Sequence, residues 1–216
     1  SNKIKVIYPG VDMLNFSSEK NINYFKKYKN FKPILLTMAR LEKRKNHKKI
    51  IYAVHDLIKE FQNLLYLIAG DGPEMKKISK LIDKLNLKKN VKILGEVNER
   101  DKTFLFKISD LHVMPTILDK RSLSIEGFGI SYIEAGLYGI PSISSGLGGT
   151  KESVINGKTG IICNPNNVSS IKDSIKKVLI NKKMYKKLSV NSKNFSKKFL
   201  WKNIIKNYLN LIKKDF

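Results

Sequence analysis

The chain has 216 residues, of which 42% are hydrophobic, so it is long enough to bury one full core. No apolar run approaches the roughly 20 residues that a membrane-spanning helix needs, and we therefore expect no transmembrane helix. The single cysteine, Cys163, excludes an internal disulfide and is predicted to be a core thiol in a reducing cytoplasm. We expect one domain over residues 1–216.

The formal net charge of +24 comes almost entirely from lysine, because arginine occurs at only four positions. Nucleic-acid-binding proteins favour arginine for phosphates and base edges, so no nucleic-acid partner is expected. Two explanations of the lysine excess stay open, namely a compositional bias and attraction to an anionic membrane surface. The protein is accordingly expected in the cytoplasm, either free or peripheral on the cytoplasmic face of a membrane.

Short apolar runs alternate with helical patterns along the chain. The runs predict strands at residues 4–8, 34–39, 64–69, 91–94, 111–114, 140–144 and 160–163. Helical spacing of apolar residues follows most of these runs, and from about Val168 onward the whole pattern is helical. This alternation predicts an α/β fold, a Rossmann-like doubly wound parallel sheet with helices on both faces and a C-terminal helical extension.

Ligands of such a sheet bind beyond the carboxyl ends of the strands, so the loops there are the candidates for function. The first of these loops contains Arg40 and Lys45, directly after a predicted strand. An arginine fork and a mobile ammonium can converge on one diphosphate. Alone, in a chain so rich in lysine, the same residues would also fit a solvated basic turn.

A second loop, Glu126-Gly127-Phe128-Gly129, leads into a predicted helix that carries Glu134. Its glycines let the backbone approach a ligand closely, and the free N–H groups of the first helical turn can bind an anion. Glu134, about one turn into the helix, is placed to accept hydrogen bonds from paired hydroxyls such as those of a ribose. A glycine-rich turn with two surface acids is the alternative for this pair in isolation.

Five segments in one order resemble the C-terminal donor domain of the family-4 glycosyltransferases, which have the two-domain GT-B fold. The segments are Ile7–Asp12, Ala39–Lys45, Ile68–Glu74, the glutamates at 126 and 134, and Gly157–Gly160. The resemblance covers essentially the whole chain. It implies a retaining glycosyltransferase that uses a GDP- or UDP-linked sugar, in the synthesis of cell-surface polysaccharide, lipopolysaccharide or glycolipid.

The same resemblance assigns roles to individual residues. Arg40 and Lys45 would stabilise the diphosphate leaving group, Glu126 would contact hydroxyls of the transferred sugar, and Glu134 would bind the donor ribose. Backbone groups of the loop would hold the sugar and phosphates, at Phe128, Gly129 and Ile130. The segment from Gly95 through Val97 resembles the loop that receives the nucleobase, with Glu99 as an acceptor for a guanine edge.

In two places the sequence departs from the family pattern. The family often has glycine where Ala39 and Asn46 stand, although neither change removes a charged ligand. The segment from Ile117 to Ile125 is longer than in many relatives, and its Arg121 would either touch a sugar or remain solvated.

The three histidines are not expected to be catalytic. His112 is predicted to be packed at a sheet end, whereas His47 and His55 lie on a lysine-rich helix and are predicted to be surface residues. With one cysteine and no clustered ligand spacing, no metal and no cofactor are expected. The resemblance implies that cations and a helix N-terminus take the place of a divalent ion.

The resemblance further implies that an N-terminal domain supplies the acceptor site. We therefore expect this chain to bind donor weakly and to transfer little sugar alone, and we expect its terminal helix to expose apolar residues such as Trp201, Ile205, Tyr208 and Leu209. A nucleotide-sugar epimerase, a phosphorylase of the same architecture and a non-catalytic basic binding domain remain alternatives at this point.

Overall fold

The computed structural model describes residues 4–13 and 27–212. At its centre lies a six-stranded sheet of β1 (Ile34–Met38), β2 (Leu65–Ala69), β3 (Val91–Gly95), β4 (Leu111–Val113), β5 (Ser142–Ser144) and β6 (Gly160–Ile162). The strand order is β3-β2-β1-β4-β5-β6, and every neighbouring pair is parallel. The order reverses between β1 and β4, which is where a doubly wound sheet opens its ligand crevice. The predicted fold class is confirmed.

Eight α-helices begin and end within the described residues. They are α1 (His47–Leu57), α2 (Met75–Lys84), α3 (Glu99–Ile108), α4 (Ile130–Leu137), α5 (Thr150–Ser153), α6 (Val168–Ile180), α7 (Lys182–Ser196) and α8 (Trp201–Ile212). The last three form the predicted C-terminal helical extension. Within the described ranges, no helix combines the length and the apolar character required to cross a bilayer.

Alternate residues of the strands face the two helical layers, as the two-residue period of a strand requires. Leu35, Tyr66 and Ile68 pack with α1, α2 and α6 on one face. Leu36 and Leu67 pack with α3 and α4 on the other. Both faces are buried, which explains why the strands read as nearly continuous apolar runs.

The strand predicted from Ile4 to Tyr8 is wrong. This segment has no regular secondary structure, and its nearest pairing is an isolated bridge between Val11 and Leu200. Ile4 is 81% exposed, whereas Ile7 and Tyr8 pack on a cluster built from α4 and α8. Val6 is also exposed, at 72%, so the alternating apolar residues do not share one buried side, and the part of the segment that packs lies on helices and not beside a strand of the sheet.

The exposed face of α8 agrees with the expectation from the sequence. Its four named residues are between 42% and 50% exposed: Trp201, Ile205, Tyr208 and Leu209. Ile204, which lies one turn from both Trp201 and Tyr208, is buried. The helix therefore buries one edge of its apolar surface within the domain and leaves the adjoining part uncovered.

Candidate functional site

The loop after β1 turns Lys45 inward and leaves Arg40 outside. The amide of Leu41 donates to the carbonyl of Asp71 at 2.8 Å, which fixes the loop against the turn that follows β2. A short 3₁₀ turn over Lys43–Lys45 then reverses the chain. As a result the side chain of Lys45 is 9% exposed and that of Arg40 is 74% exposed.

Asn46 ends this turn in the left-handed conformation, with φ of 63°. That conformation favours glycine, and asparagine is among the few other residues that adopt it readily. The side-chain amide of Asn46 also donates to the carbonyls of Pro115 at 2.9 Å and Pro165 at 2.8 Å. The departure from the usual glycine therefore preserves the turn and adds a link to the loops after β4 and β6.

Glu126 lies buried beside the two cations of the β1 loop. Its carboxylate pairs with the guanidinium of Arg44 at 2.7 Å and with the ammonium of Lys45. Burial lowers the pKa of Lys45, and the hydrogen bond that its ammonium donates to Glu126 opposes that shift. The two charges therefore compensate each other in a place where either one alone would be unfavourable.

A pair of glycines brings the loop after β5 against the Glu126 loop. The amide of Gly149 donates to the carbonyl of Glu126 at 3.0 Å. A Cβ at Gly149 would lie 1.6 Å from the carbonyl oxygen of Gly127, so only glycine fits there. This contact fixes the backbone that leads into α4.

The first pocket of the site has a volume of about 440 Å³ and surrounds the start of α4. Its lining consists of Pro9, Met38, Lys45, Glu126, Gly127, Phe128, Gly129, Ile130 and Ser131. Gly129 has φ of 81° and is the N-cap of the helix. The unpaired N–H groups of a first helical turn and the positive end of the helix dipole favour an anion here, together with the Lys45 ammonium.

The second pocket, of about 480 Å³, is a neighbour of the first because Met38 lines both. Its charged lining residues are Arg40, Asp71, Glu96, Lys102 and Glu134. The ammonium of Lys102 lies 2.7 Å from Glu134 and 2.9 Å from Glu99. Burial lowers the pKa of Lys102, but the hydrogen bonds to the two glutamates outweigh it and leave the pKa raised.

The structure distributes the predicted site residues over these two pockets. The first contains Lys45, Glu126, Phe128, Gly129 and Ile130, and the second contains Arg40, Val97 and Glu134. The cations at 40 and 45 therefore border adjacent pockets and do not meet in one.

Gly95 and Glu99 line neither pocket. The carbonyl of Gly95 accepts a hydrogen bond from the amide of Gly70 at 2.7 Å, and the side chain of Glu99 is 59% exposed and turned to Lys102.

Reasoning from sequence missed two cations of the site, Arg44 and Lys102. Arg44 belongs to the same basic run as Arg40 and Lys45, but a turn of unknown shape does not reveal which side chain points inward. Lys102 could have been found, because it follows Glu99 by three residues on a predicted helix, a spacing that favours an ion pair.

The prediction that His47 is a surface residue is wrong, because it is 2% exposed. Its Nδ1 lies 3.3 Å from the hydroxyl of Tyr66, and burial lowers its pKa to about 4. The first turn of α1 faces the sheet, and this explains the burial.

His112 is packed, as predicted. It is fully buried, and its ring lies edge-on to the ring of Tyr132 with the ring centroids 5.2 Å apart. Burial, together with repulsion from Lys45, lowers the pKa of His112 to about 3.

These two histidines make the fold sensitive to acid. Each has a folded pKa below the ordinary value of about 6.5, so each adds stability above that pH and loses it as the pH falls from about 6.5 toward 4. We expect His112→Leu to reduce the slope of unfolding free energy against pH, between pH 6 and 4, by about 1.4 kcal/mol per pH unit. Chemical denaturation across this range measures the slope. An unchanged slope would contradict a neutral buried His112, and His55→Gln on α1 is the control.

Cys163 is buried, as predicted for a core thiol, and burial raises its pKa to about 12. A thiol with so high a pKa is a poor nucleophile at neutral pH. Among residues 4–13 and 27–212, no group of three or more His, Cys, Asp or Glu side chains could hold a metal ion.

A further pocket of about 810 Å³ lies at the opposite, amino ends of the strands, before the central strands β1 and β4. It exceeds either site pocket in volume, but its lining is apolar with a lysine rim: Lys32, Pro33, Phe61, Asp110, Leu179, Lys182, Lys183, Tyr185 and Lys186. None of the residues singled out for chemistry borders it, and volume alone does not make it the candidate site.

Residues 18–195 match the family model described as glycosyl transferases group 1. The chain belongs to this family. Among curated relatives, it is 28% identical over 181 residues to a 2-deoxystreptamine N-acetyl-D-glucosaminyltransferase of Niallia circulans, a match that covers 83% of this chain and 45% of the relative. An uncharacterized glycosyltransferase of Methanocaldococcus jannaschii is 30% identical over 205 residues, covering 94% and 52%. The chain thus spans about half the length of the curated relatives it matches.

Solved structures place this group 1 domain among GT-B glycosyltransferases. A glycosyltransferase from Rickettsia africae matches with a TM-score of 0.83 at 25% identity, covering 99% of this chain and 57% of that one. The C-terminal domain of a glycosyl transferase group 1 family protein from Francisella tularensis matches with a TM-score of 0.71 at 18% identity, covering 91% and 97%. The fold is therefore that of the C-terminal domain of a GT-B glycosyltransferase.

Proposed function

We propose that this chain is the donor-binding domain of a retaining family-4 glycosyltransferase, which transfers a sugar from a nucleotide-diphosphate sugar to a glycan or glycolipid in cell-surface polysaccharide, lipopolysaccharide or glycolipid synthesis. One observation carries the proposal. The buried ammonium of Lys45 and the N-terminus of α4 line one pocket, next to a second pocket that contains Arg40 and Glu134. A nucleoside diphosphate matches this order of groups, with its phosphates at the first pocket and its ribose at the second.

The proposed mechanism is electrostatic. Cleavage of the sugar–phosphate bond builds negative charge on the diphosphate, and positive groups already in place lower that barrier. Lys45 and the start of α4 would meet this charge, with Arg40 swinging in from solvent. No metal is required in this proposal, because these groups take over the neutralising role of a divalent ion.

The carboxylates would orient the donor and not attack it. Glu134 lies 2.7 Å from Lys102 and would accept hydrogen bonds from the ribose hydroxyls. Glu126 would contact hydroxyls of the sugar while its charge is held by Arg44 and Lys45. A carboxylate neutralised in this way is a weak nucleophile, so retention would follow from acceptor attack on the face that the leaving group vacates, with a phosphate oxygen taking the proton.

The nucleotide is proposed to be GDP or UDP. A Mycobacterium tuberculosis relative, 25% identical over 182 residues, is a GDP-mannose-dependent mannosyltransferase, and the Anabaena protein HepE, a structural match with a TM-score of 0.83 at 22% identity, was solved in complex with UDP. Glu96 and Val97 line the second pocket and would lie beside the nucleobase, while Glu99 is held by Lys102. Glu99 could contact a guanine edge only after leaving Lys102.

An acceptor-binding domain would cover the exposed apolar face of α8, and without it transfer is expected to be slow. The exposed apolar side chains of this face suit an interface within a larger protein, because a contiguous apolar patch is unfavourable when it faces water. The proposed location is the cytoplasm or the cytoplasmic face of a membrane.

Titration with GDP, UDP and ADP tests the proposal. We expect GDP or UDP to bind the chain. Glu134→Ala is expected to weaken that binding by roughly tenfold, because it removes a charged hydrogen-bond acceptor. A non-catalytic basic domain would bind all three nucleotides alike and would not respond to Glu134→Ala or Arg40→Ala. Glu152→Ala, outside both pocket linings, is the matched control. Product analysis of the whole protein separates a transferase from an epimerase or phosphorylase.

We further propose that the lysine rim of the 810 Å³ pocket faces an anionic membrane surface. Lys182, Lys183 and Lys186 are exposed beside an apolar lining, a combination that suits phospholipid. Changing these three lysines to glutamate is expected to abolish sedimentation with vesicles of 30% or so anionic phospholipid at about 0.1 M salt.

The same charge change on α2, at Lys76, Lys80 and Lys84, is the control for this experiment. These lysines are exposed and lie on the helix that connects β2 to the edge strand β3, outside the lining of the 810 Å³ pocket. Equal losses in both triple variants would show that charge acts without a defined surface, which the compositional explanation of the lysine excess predicts.

A further inference from the structure

Charged side chains of the β1 loop form one alternating chain with Glu126 of the first pocket. The guanidinium of Arg40 lies 3.3 Å from Glu42, and Glu42 lies 2.9 Å from Arg44. Arg44 in turn lies 2.7 Å from Glu126, which also pairs with Lys45. The two cations proposed to meet the diphosphate are the ends of this chain, and Arg44 is its centre.

The two ends differ in how easily they can change partners. Arg40 is 74% exposed, so its pair with Glu42 is worth little and can open at small cost. Lys45 and Glu126 are about 10% exposed, so withdrawing the ammonium from this carboxylate would leave a buried charge unpaired. A diphosphate can recruit Lys45 only if Glu126 keeps another cation.

We infer that Arg44 is a positioning residue that keeps Glu126 neutralised while Lys45 turns its ammonium to the diphosphate. The guanidinium fork allows this, because its Nε bonds Glu42 and its Nη1 bonds Glu126 at the same time. Arg44 lines neither pocket, so it acts through Glu126 and not by contact with the ligand. The inference rests on the proposed function, and it adds a residue to which the family resemblance assigns no role.

A double-mutant cycle tests this inference on the chain with GDP and UDP as probes. Whichever of GDP and UDP the chain binds, Arg44→Met is expected to weaken that binding by about tenfold. Without Arg44, the Glu126 carboxylate would repel the diphosphate and would also retain the Lys45 ammonium. In a Glu126→Gln background the same change is expected to weaken binding less than about twofold, since no carboxylate then needs a partner. A purely structural role would not depend on the charge at position 126.

Two further variants separate charge from folding. Arg44→Lys keeps a cation and is expected to recover most of the lost affinity, even if Arg44→Met lowers the unfolding temperature. Lys43→Met removes the same charge from the adjacent residue, whose ammonium faces Asp119 at 3.9 Å, and is expected to leave affinity unchanged.

The outcomes distinguish this inference from the proposed function. Equal weakening by Arg44→Met in both backgrounds would mean that Arg44 acts independently of Glu126, either by direct contact with the nucleotide or by supporting the fold, and this inference would be wrong while the donor site stands. If neither GDP nor UDP bound the unmodified chain, the proposed function itself would fail and the inference with it.

Discussion

Lys45→Met is expected to weaken GDP or UDP binding by roughly tenfold to a hundredfold, the range that follows from losing a charge-assisted hydrogen bond in a buried site. The side chain of Lys45 is 9% exposed, so water screens its charge less than that of Arg40. Methionine keeps the apolar stem, and therefore the change removes charge more than volume. Isothermal titration at neutral pH measures the effect.

The pH dependence of binding provides a second readout of the same residue. Because burial lowers the pKa of Lys45, its ammonium is lost at a lower pH than that of an ordinary lysine. Affinity of the unmodified chain should therefore fall as the pH rises into the alkaline range, and Lys45→Met should remove that fall. Lys43→Met is the control, and an equal loss of affinity in that variant would show that only the net charge of the loop matters.

Gly149→Ala is expected to destabilise the domain by about 3 kcal/mol, since the added Cβ would overlap the Gly127 carbonyl oxygen and force two loops apart. For a domain of this size the unfolding temperature would fall by roughly 6 to 12 °C. The hydrogen bond from the Gly149 amide to Glu126 would be strained as well, so nucleotide affinity should fall with stability.

Gly127→Ala is the matched control for this substitution. A Cβ at Gly127 would meet nothing within 4 Å, and the residue is the direct neighbour of Gly149 across the contact. Its unfolding temperature should remain within about 2 °C of that of the unmodified chain, the usual range for a change without a clash. Equal destabilisation by both alanines would contradict the steric explanation.

The sequence predicted the sheet well because its strands are buried on both faces. Leu35-Leu36 and Leu67-Ile68 are apolar whichever way each residue points, so the run itself reveals the strand. The segment at Ile4–Tyr8 has a similar pattern but no strand beside it to pair with, and pairing is a property of the whole fold. The local pattern of apolar residues therefore predicted where a strand-like segment lies more reliably than whether that segment pairs with a strand of the sheet.

The site was predictable at the level of loops but not of individual cations. The pattern Glu126 to Glu134 fixes a loop and a helix, and the structure places both residues in the site pockets. In the basic run from Arg40 to Lys45, however, the 3₁₀ turn decides that Lys45 and Arg44 face Glu126 while Arg40 faces solvent. Three-dimensional geometry sets that choice, as it does the burial of His47.

A crystal structure of the chain with GDP or UDP would test the central claim most directly. The account predicts the diphosphate between the Lys45 ammonium and the first turn of α4, with the ribose hydroxyls at Glu134. A nucleotide bound away from Lys45, for example against the lysine rim at Lys182 and Lys186, would contradict it.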